Sequence, residues 1–201
     1  MNTKKHTQKH DPKGKVYLKL DENVQGHAVM SPCERYRTRL ERRWGKGDAI
    51  LFVGLNPSVA DATHSDPTCA REEAFAKRWG FDAYLKGNVM DWRATHPKDI
   101  PQDPKIACSG DNLSALENMA KEAKIIVMAC GVIKPAFISI FDNILDILVS
   151  TKKPIICLKK TKDGWPGHPL YIAKTQTPQP YFENETLPDW FEHVIKNPKS
   201  T

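Results

Sequence analysis

Along this chain, short and nearly unbroken apolar runs alternate with stretches where apolar residues recur every three to four positions. The runs are "DAILFVGL" (48–55), "AYLKGNVM" (83–90), "KIIVMACG" (124–131) and "KPIICLKK" (153–160). Each has the length and β-branched content of a buried strand. Between them lie helical patterns. Asp66 can cap a helix with Pro67 at its first position, running through "TCAREEAFAKRW" to Gly80. Asp111 or Ser114 can start "NLSALENMAKEA". In "KPAFISIFDNILDILVS" the residues Phe137, Ile140, Phe141, Ile144 and Leu148 form one stripe. "LPDWFEHVIK" closes the chain as a short helix. Upstream, "SPCERYRTRLERRWG" (31–45) offers Ser31 as N-cap, Pro32 at the first helical position and Glu34 as capping-box partner, which predicts another helix.

Strands separated by helices predict a parallel sheet covered on both faces, because a βαβ crossover lays its helix on the sheet. The expected fold is a three-layer α/β/α domain around a central, four-stranded, mainly parallel sheet. Ligands in such folds bind beyond the carboxyl ends of the strands, near the switch in strand order. The unusual residues of this chain collect at those ends. They are "GLNPS" (54–58), Asn88, "ACG" (129–131) and "TKDGWPGHPLY" (161–171).

Composition adds limits. The chain has 201 residues, 40% hydrophobic and 27% charged, which suits one globular unit with a proper core. Its formal net charge of +6 favours a polyanionic partner such as nucleic acid. Six lysines lie in the first twenty residues, read as a basic arm that touches phosphates or is simply a solvated tail. Residues 21–201 are expected to form a single domain. The five cysteines are scattered without a Cys-x-x-Cys pair, so reduced packing thiols are expected, and no metal or cofactor. No signal-like apolar segment opens the chain, and no apolar run approaches the roughly 20 residues of a membrane span. A cytoplasmic monomer without membrane contact is expected.

Several rim residues carry candidate chemistry, each beside a plainer role. Gly54 allows close backbone approach. Asn56 can hold a water through its amide or close its own turn. Ser58 follows on the same turn. Asp66 is a helix cap or a general base, and Asp61 is a carboxylate with no capping role visible in the sequence. The helix start at Pro67–Thr68 can seat a phosphate, with Arg71 one turn in. Asn88 can read the polar edge of a base, or close a turn. Trp92, Arg93 and His96 of "DWRATHPKD" can stack a base and pair a phosphate, or form a surface loop. His168, bracketed by Gly167 and Pro169, can donate to a developing anion. No rim lysine stands where a Schiff base would need it. Walker, Gly-x-Gly-x-x-Gly, His-Glu-x-x-His and Gly-x-Ser-x-Gly motifs are absent from the chain.

Taken in order, Gly-Leu-Asn-Pro-Ser, the strand-ending Asn88, Gly131 and Gly-His-Pro-Leu resemble the motifs of the uracil-DNA glycosylase superfamily, the first in the form of its mismatch-specific and thymine glycosylase branch. More closely, "ERYRTRLERRW", "NPSVAD", "DPTCAR", "RWG", "WRATHPKD" and "TKDGWPGHPLY" are similar to the bacterial domain-of-unknown-function family 1643, over roughly residues 33 to 175. The superfamily resemblance implies a DNA glycosylase. Asn56 would position the attacking water, and His168 would stabilise the departing base. Asn88 would read the flipped base, with Gly54 and Ser58 lining its seat. Gly131 would line the pocket near the duplex, while Arg71 and Arg93, which match the narrower family's own motifs, and Lys162 are carried as candidate DNA contacts. Asp61 and Asp66 match the narrower family's motifs and are carried as candidate catalytic carboxylates. Gly-His-Pro-Leu-Tyr departs from the superfamily's His-Pro-Ser-Pro-Leu loop, and "ACG" stands for its Trp-Gly. Long loops favour a modified pyrimidine over plain uracil, in one case a hypermodified base of phage DNA removed in defence. The alternatives are an enzyme of free nucleosides or nucleotides and a non-catalytic nucleic-acid-binding module.

Overall fold

A computed structural model describes residues 17–198. In chain order the strands and helices are β1 (Leu18–Lys19), β2 (Gln25–Met30), β3 (Arg37–Arg43), β4 (Ala49–Gly54), β5 (His64–Ser65), α1 (Pro67–Arg78), β6 (Ala83–Asn88), α2 (Pro104–Ala107), α3 (Asn112–Glu122), β7 (Ala123–Met128), α4 (Ile138–Ser150), β8 (Ile155–Cys157), β9 (Gln179–Pro180) and α5 (Asp189–Lys196).

The fold is mixed α/β. Its main sheet has seven strands in the order β2-β3-β6-β4-β7-β8-β9. The pairs β6–β4, β4–β7 and β7–β8 are parallel. The outer pairs β2–β3, β3–β6 and β8–β9 are antiparallel. The four strands expected from the apolar runs are thus the parallel centre of a wider, mixed sheet. The strands added at its edges carry too few apolar residues to be read as runs.

Helices cover both faces. On one, Leu51, Val53 and Leu85 pack with Leu116 and Met119 of α3 and with Phe141, Ile144 and Leu148 of α4. On the other, Ile50, Phe52 and Tyr84 pack with Phe75 and Ala76 of α1 and Phe191 of α5. Each fully buried side chain of this size contributes about 1.5–3 kcal/mol of hydrophobic stabilisation. The predicted stripe of α4 is the buried one, with Ile140 at its half-exposed margin.

The segment 31–45 is not a helix. Ser31 closes a turn instead, accepting from the Glu34 N–H at 2.8 Å and, through its hydroxyl, from the Tyr36 N–H at 3.2 Å. The chain then runs extended as β3. Thr38, Leu40 and Arg42 are buried, while Arg39 and Arg43 both pair with Glu41. The alternation has period two, which a helix cannot satisfy. Pairing on both sides, with β2 and β6, overrides the helical preference of Arg, Leu and Glu. The buried Arg42 guanidinium meets the carbonyls of Glu41, Asp61 and His64.

Residues 1–16 of the expected basic arm lie outside the described residues. Its end forms β1, which pairs antiparallel with β5. Among the described residues, no helix is long and apolar enough to cross a membrane.

Candidate functional site

The chain leaves β4 and crosses by α1 on one face to β6. It then returns past β4 by α3 on the other face to reach β7. The strand order therefore switches at β4, and a crevice opens where its two neighbours diverge. A cavity of about 460 Å³ lies there, lined by the residues that follow β4, end β6 and follow β7. Its volume suits a ligand of nucleoside size or somewhat larger.

Seven expected site residues meet on this cavity: Gly54, Asn56, Ser58, Asp66, Asn88, Gly131 and His168. Asn56 is held from the far side. Its amide nitrogen donates to the carbonyls of Ala94 at 2.8 Å and Pro57 at 3.0 Å, which leaves its carbonyl oxygen as an acceptor. The amide nitrogen thus serves the turn.

Asn88 differs. It is 1% exposed, and neither its carbonyl oxygen nor its amide nitrogen has a partner among the described residues. A buried amide left unpaired costs about 1–3 kcal/mol, and this one lies on the cavity lining. Its backbone is fixed by the register Gly54↔Asn88 in the parallel ladder and by Asn112, whose amide donates to the carbonyls of Asn88 and Val89 at 3.1 Å. A Cβ at Gly54 would come within 2.5 Å of Lys86 Nζ and 2.9 Å of Asn88 Oδ1, so any other residue here would displace these two side chains. Gly131 is glycine for another reason, a φ of +71°.

Asp66 caps α1 by accepting from the Cys69 N–H at 2.9 Å while lining the cavity, so cap and candidate carboxylate are one residue. His168 begins a short 3-10 turn at Pro169–Tyr171. Its Nδ1 accepts from the Leu170 N–H at 3.4 Å, which puts the proton of the neutral ring on Nε2. Burial lowers its pKa, the Lys86 charge lowers it further, and Asp66 opposes both. The ring is a neutral N–H donor at physiological pH. Cys69 and Cys130 also line the cavity, but burial pushes both thiols up to about 12, which removes them as thiolate nucleophiles.

Four expected residues stand elsewhere. Asp61 has a structural role after all: its Oδ1 accepts from the N–H groups of Thr63 and His64 at 2.8 Å and from the Thr63 hydroxyl at 3.0 Å. Partial burial pushes its pKa up, but these donors prevail and lower it. It organises the β4–β5 loop away from the cavity lining. Arg71 donates to the Ile172 carbonyl at 3.1 Å and so ties α1 to the segment after His168. Arg93 is 7% exposed and donates to the carbonyls of Glu34 and Ser58, bracing the turn. Lys162 is exposed and outside the lining.

Sequence reasoning missed the group on the floor. Lys86, 4% exposed, lines the cavity and donates to Glu72 Oε1 at 2.6 Å. The Tyr84 hydroxyl donates to the other oxygen of Glu72 at 2.5 Å. Two signals were available. Glu72 falls on the buried stripe of α1 with Cys69, Phe75 and Ala76. Tyr84, Lys86 and Asn88 alternate along β6 and so share the face under α1. Lys86 thus brings an ammonium to the cavity from within β6, outside the rim motifs in which the sequence offers no lysine for a Schiff base. Arg37 of β3 also reaches the lining, with its Nη1 on the Ala60 carbonyl at 2.6 Å and its Nε unpartnered.

Among the described residues, no three His, Cys, Asp or Glu side chains converge in a way that holds a metal. No curated protein and no solved structure matches the chain at a significant level. The family model described as "protein of unknown function (DUF1643)" matches residues 35–170, which contain every residue of the cavity floor together with Asn56, Asp66 and His168. The chain belongs to this family.

Proposed function

We propose that the cavity receives a nucleobase turned out of DNA and that the protein hydrolyses its N-glycosidic bond, as the resemblance to the uracil-DNA glycosylase superfamily implies. The observation that carries this reading is the buried, unpaired amide of Asn88, one acceptor and two donors on a cavity shared with Asn56 and His168. Such an amide matches the carbonyl and N–H edge of a pyrimidine.

In the step itself, a water oxygen held by Asn56 Oδ1 bonds to the sugar's anomeric carbon as the carbon–nitrogen bond breaks. The electron pair leaves with the base. His168 Nε2–H, neutral and fixed by its Nδ1 contact, donates to the base as negative charge grows there. The Asp66 carboxylate faces the positive charge developing on the sugar and takes the water's proton. Turning the base out costs a few kcal/mol, and contacts between a chain of net charge +6 and the DNA phosphates offset it.

Genomic DNAs carrying different natural base modifications, incubated with the protein and followed by mass spectrometry of released bases, test this. Free base is expected from at least one DNA, and none from it with Asn56→Ala. Asp66→Asn, which keeps the helix cap, is expected to lower release by a factor of about 100 or more. Absence of released bases and of alkali-labile sites across the panel would sink the reading. Release from free nucleosides but not from DNA would move the site to the nucleoside class.

A further inference from the structure

The Lys86–Glu72–Tyr84 group has no place in the chemistry above. As a device for stability it is poor, because burying an ion pair costs desolvation that hydrophobic side chains of similar size would avoid. Its neighbours Phe52 and Tyr84 belong to an apolar cluster that could have continued through position 86. The lysine instead sits on the cavity floor. Glu72 engages one N–H bond of its ammonium, and the other two have no acceptor among the described residues. Glu72, fully buried, is held on both oxygens, so it anchors the ammonium in one place. Lys86 Nζ and Asn88 Oδ1 both lie within 3 Å of the point above Gly54 where a Cβ would stand, yet they do not bond each other. The Thr95 hydroxyl, also on the lining, is buried without a partner.

We propose that Lys86 is a specificity-determining residue that donates to an oxygen on an exocyclic substituent of the base, so that the preferred ligands are pyrimidines substituted with hydroxymethyl or carboxyl groups. This rests on the reading that the cavity takes a base. Asn88 serves the ring edge common to pyrimidines. Lys86, beside it on β6, supplies a charge-assisted donor that a bare ring or a methyl group cannot use. A ligand lacking the oxygen gives the two remaining N–H bonds of the ammonium no partner, which penalises it relative to one that has the oxygen. The cavity is larger than a bare pyrimidine requires and leaves room for the substituent.

The test is direct calorimetric titration of the full chain with uracil, thymine, 5-hydroxymethyluracil and 5-carboxyuracil. The two oxygen-bearing bases are expected to bind at least about tenfold more tightly than thymine, the margin of one hydrogen bond to a charged group. Lys86→Met is expected to bring them within about twofold of thymine, with thymine itself binding no more weakly than to the parent. Should Lys86→Met fail to fold because Glu72 loses its partner, Glu72→Gln/Lys86→Met removes the stranded charge and carries the same expectation. Equal affinity for all four bases, binding of none, or a preference that survives loss of Lys86 overturns the proposal. Base release from DNA, measured on the same preparations, separates the two ideas. Selective binding without release sinks the glycosylase reading and keeps the ligand assignment. Release without selectivity sinks the ligand assignment alone.

Discussion

Two asparagines a few ångströms apart have opposite roles. Asn112 donates its amide nitrogen to the carbonyls of Asn88 and Val89, though its own carbonyl oxygen is unpaired, whereas neither amide atom of Asn88 has a partner among the described residues. Replacing Asn112 by Ala strands two buried carbonyls and is expected to cost about 1–3 kcal/mol. Asn88→Ala removes an unpaired group and is expected to stay within about 0.5 kcal/mol of the parent or to gain stability. Urea denaturation of the two variants reads the contrast, and a loss from Asn88→Ala equal to that of Asn112→Ala would show that Asn88 is structural. The same residue-by-residue view separates the two aspartates of the β4–α1 connection. Asp61 closes its own loop, and Asp66 reaches the cavity while capping α1.

At the scale of elements, α1 and β6 are joined by a buried ion pair within an otherwise apolar interface. Glu72 comes from the helix stripe, and Lys86 and Tyr84 from the facing strand. Removing one partner leaves an uncompensated buried charge. Glu72→Ala is therefore expected to cost about 3–5 kcal/mol, read as a lower denaturant midpoint with an unchanged slope. Glu73, the next residue, forms an i,i+4 pair with Lys77 on the half-exposed side, and Glu73→Ala is expected to cost well under about 1 kcal/mol. The β3 segment teaches the complementary lesson. Its capping signature, Ser31 through Glu34, describes a helix that two flanking strands prevent.

For the whole molecule, pH and salt are the informative variables. The pKa of His168 is lower in the fold than in the unfolded chain. Between the two values the unfolded chain binds more protons, so the contribution of this group to stability falls as the pH drops below about 6.5 and levels off beneath the folded pKa. Thermal melts across pH 5 to 8 are expected to show this slope, and His168→Asn to flatten it. A chain of net charge +6 that meets DNA phosphates is expected to lose affinity for duplex DNA by about tenfold or more between 50 and 200 mM salt, as a filter-binding series measures. Affinity indifferent to salt would exclude phosphate contacts as the main attraction.

By itself the sequence determined the parallel centre of the sheet, four of the helices and the clustering of Asn56, Asn88 and His168 at one end of the strands. These follow from local rules: apolar runs need burial on both faces, periodic stripes need a helix, and a crossover fold gathers its loops at the carboxyl rim. Only the tertiary structure decided which polar residues face the cavity. Arg71, Arg93 and Asp61 carry the right chemistry but spend it on backbone carbonyls and N–H groups, partners that spacing along the chain does not reveal. Lys86 and Glu72, fourteen positions apart in sequence, become an ion pair because α1 packs over β6. Edge strands with few apolar residues, and a helical signature drawn into β3, were settled by pairing across the sheet, where hydrogen bonds from distant segments outweigh a preference of a few tenths of a kcal/mol per residue.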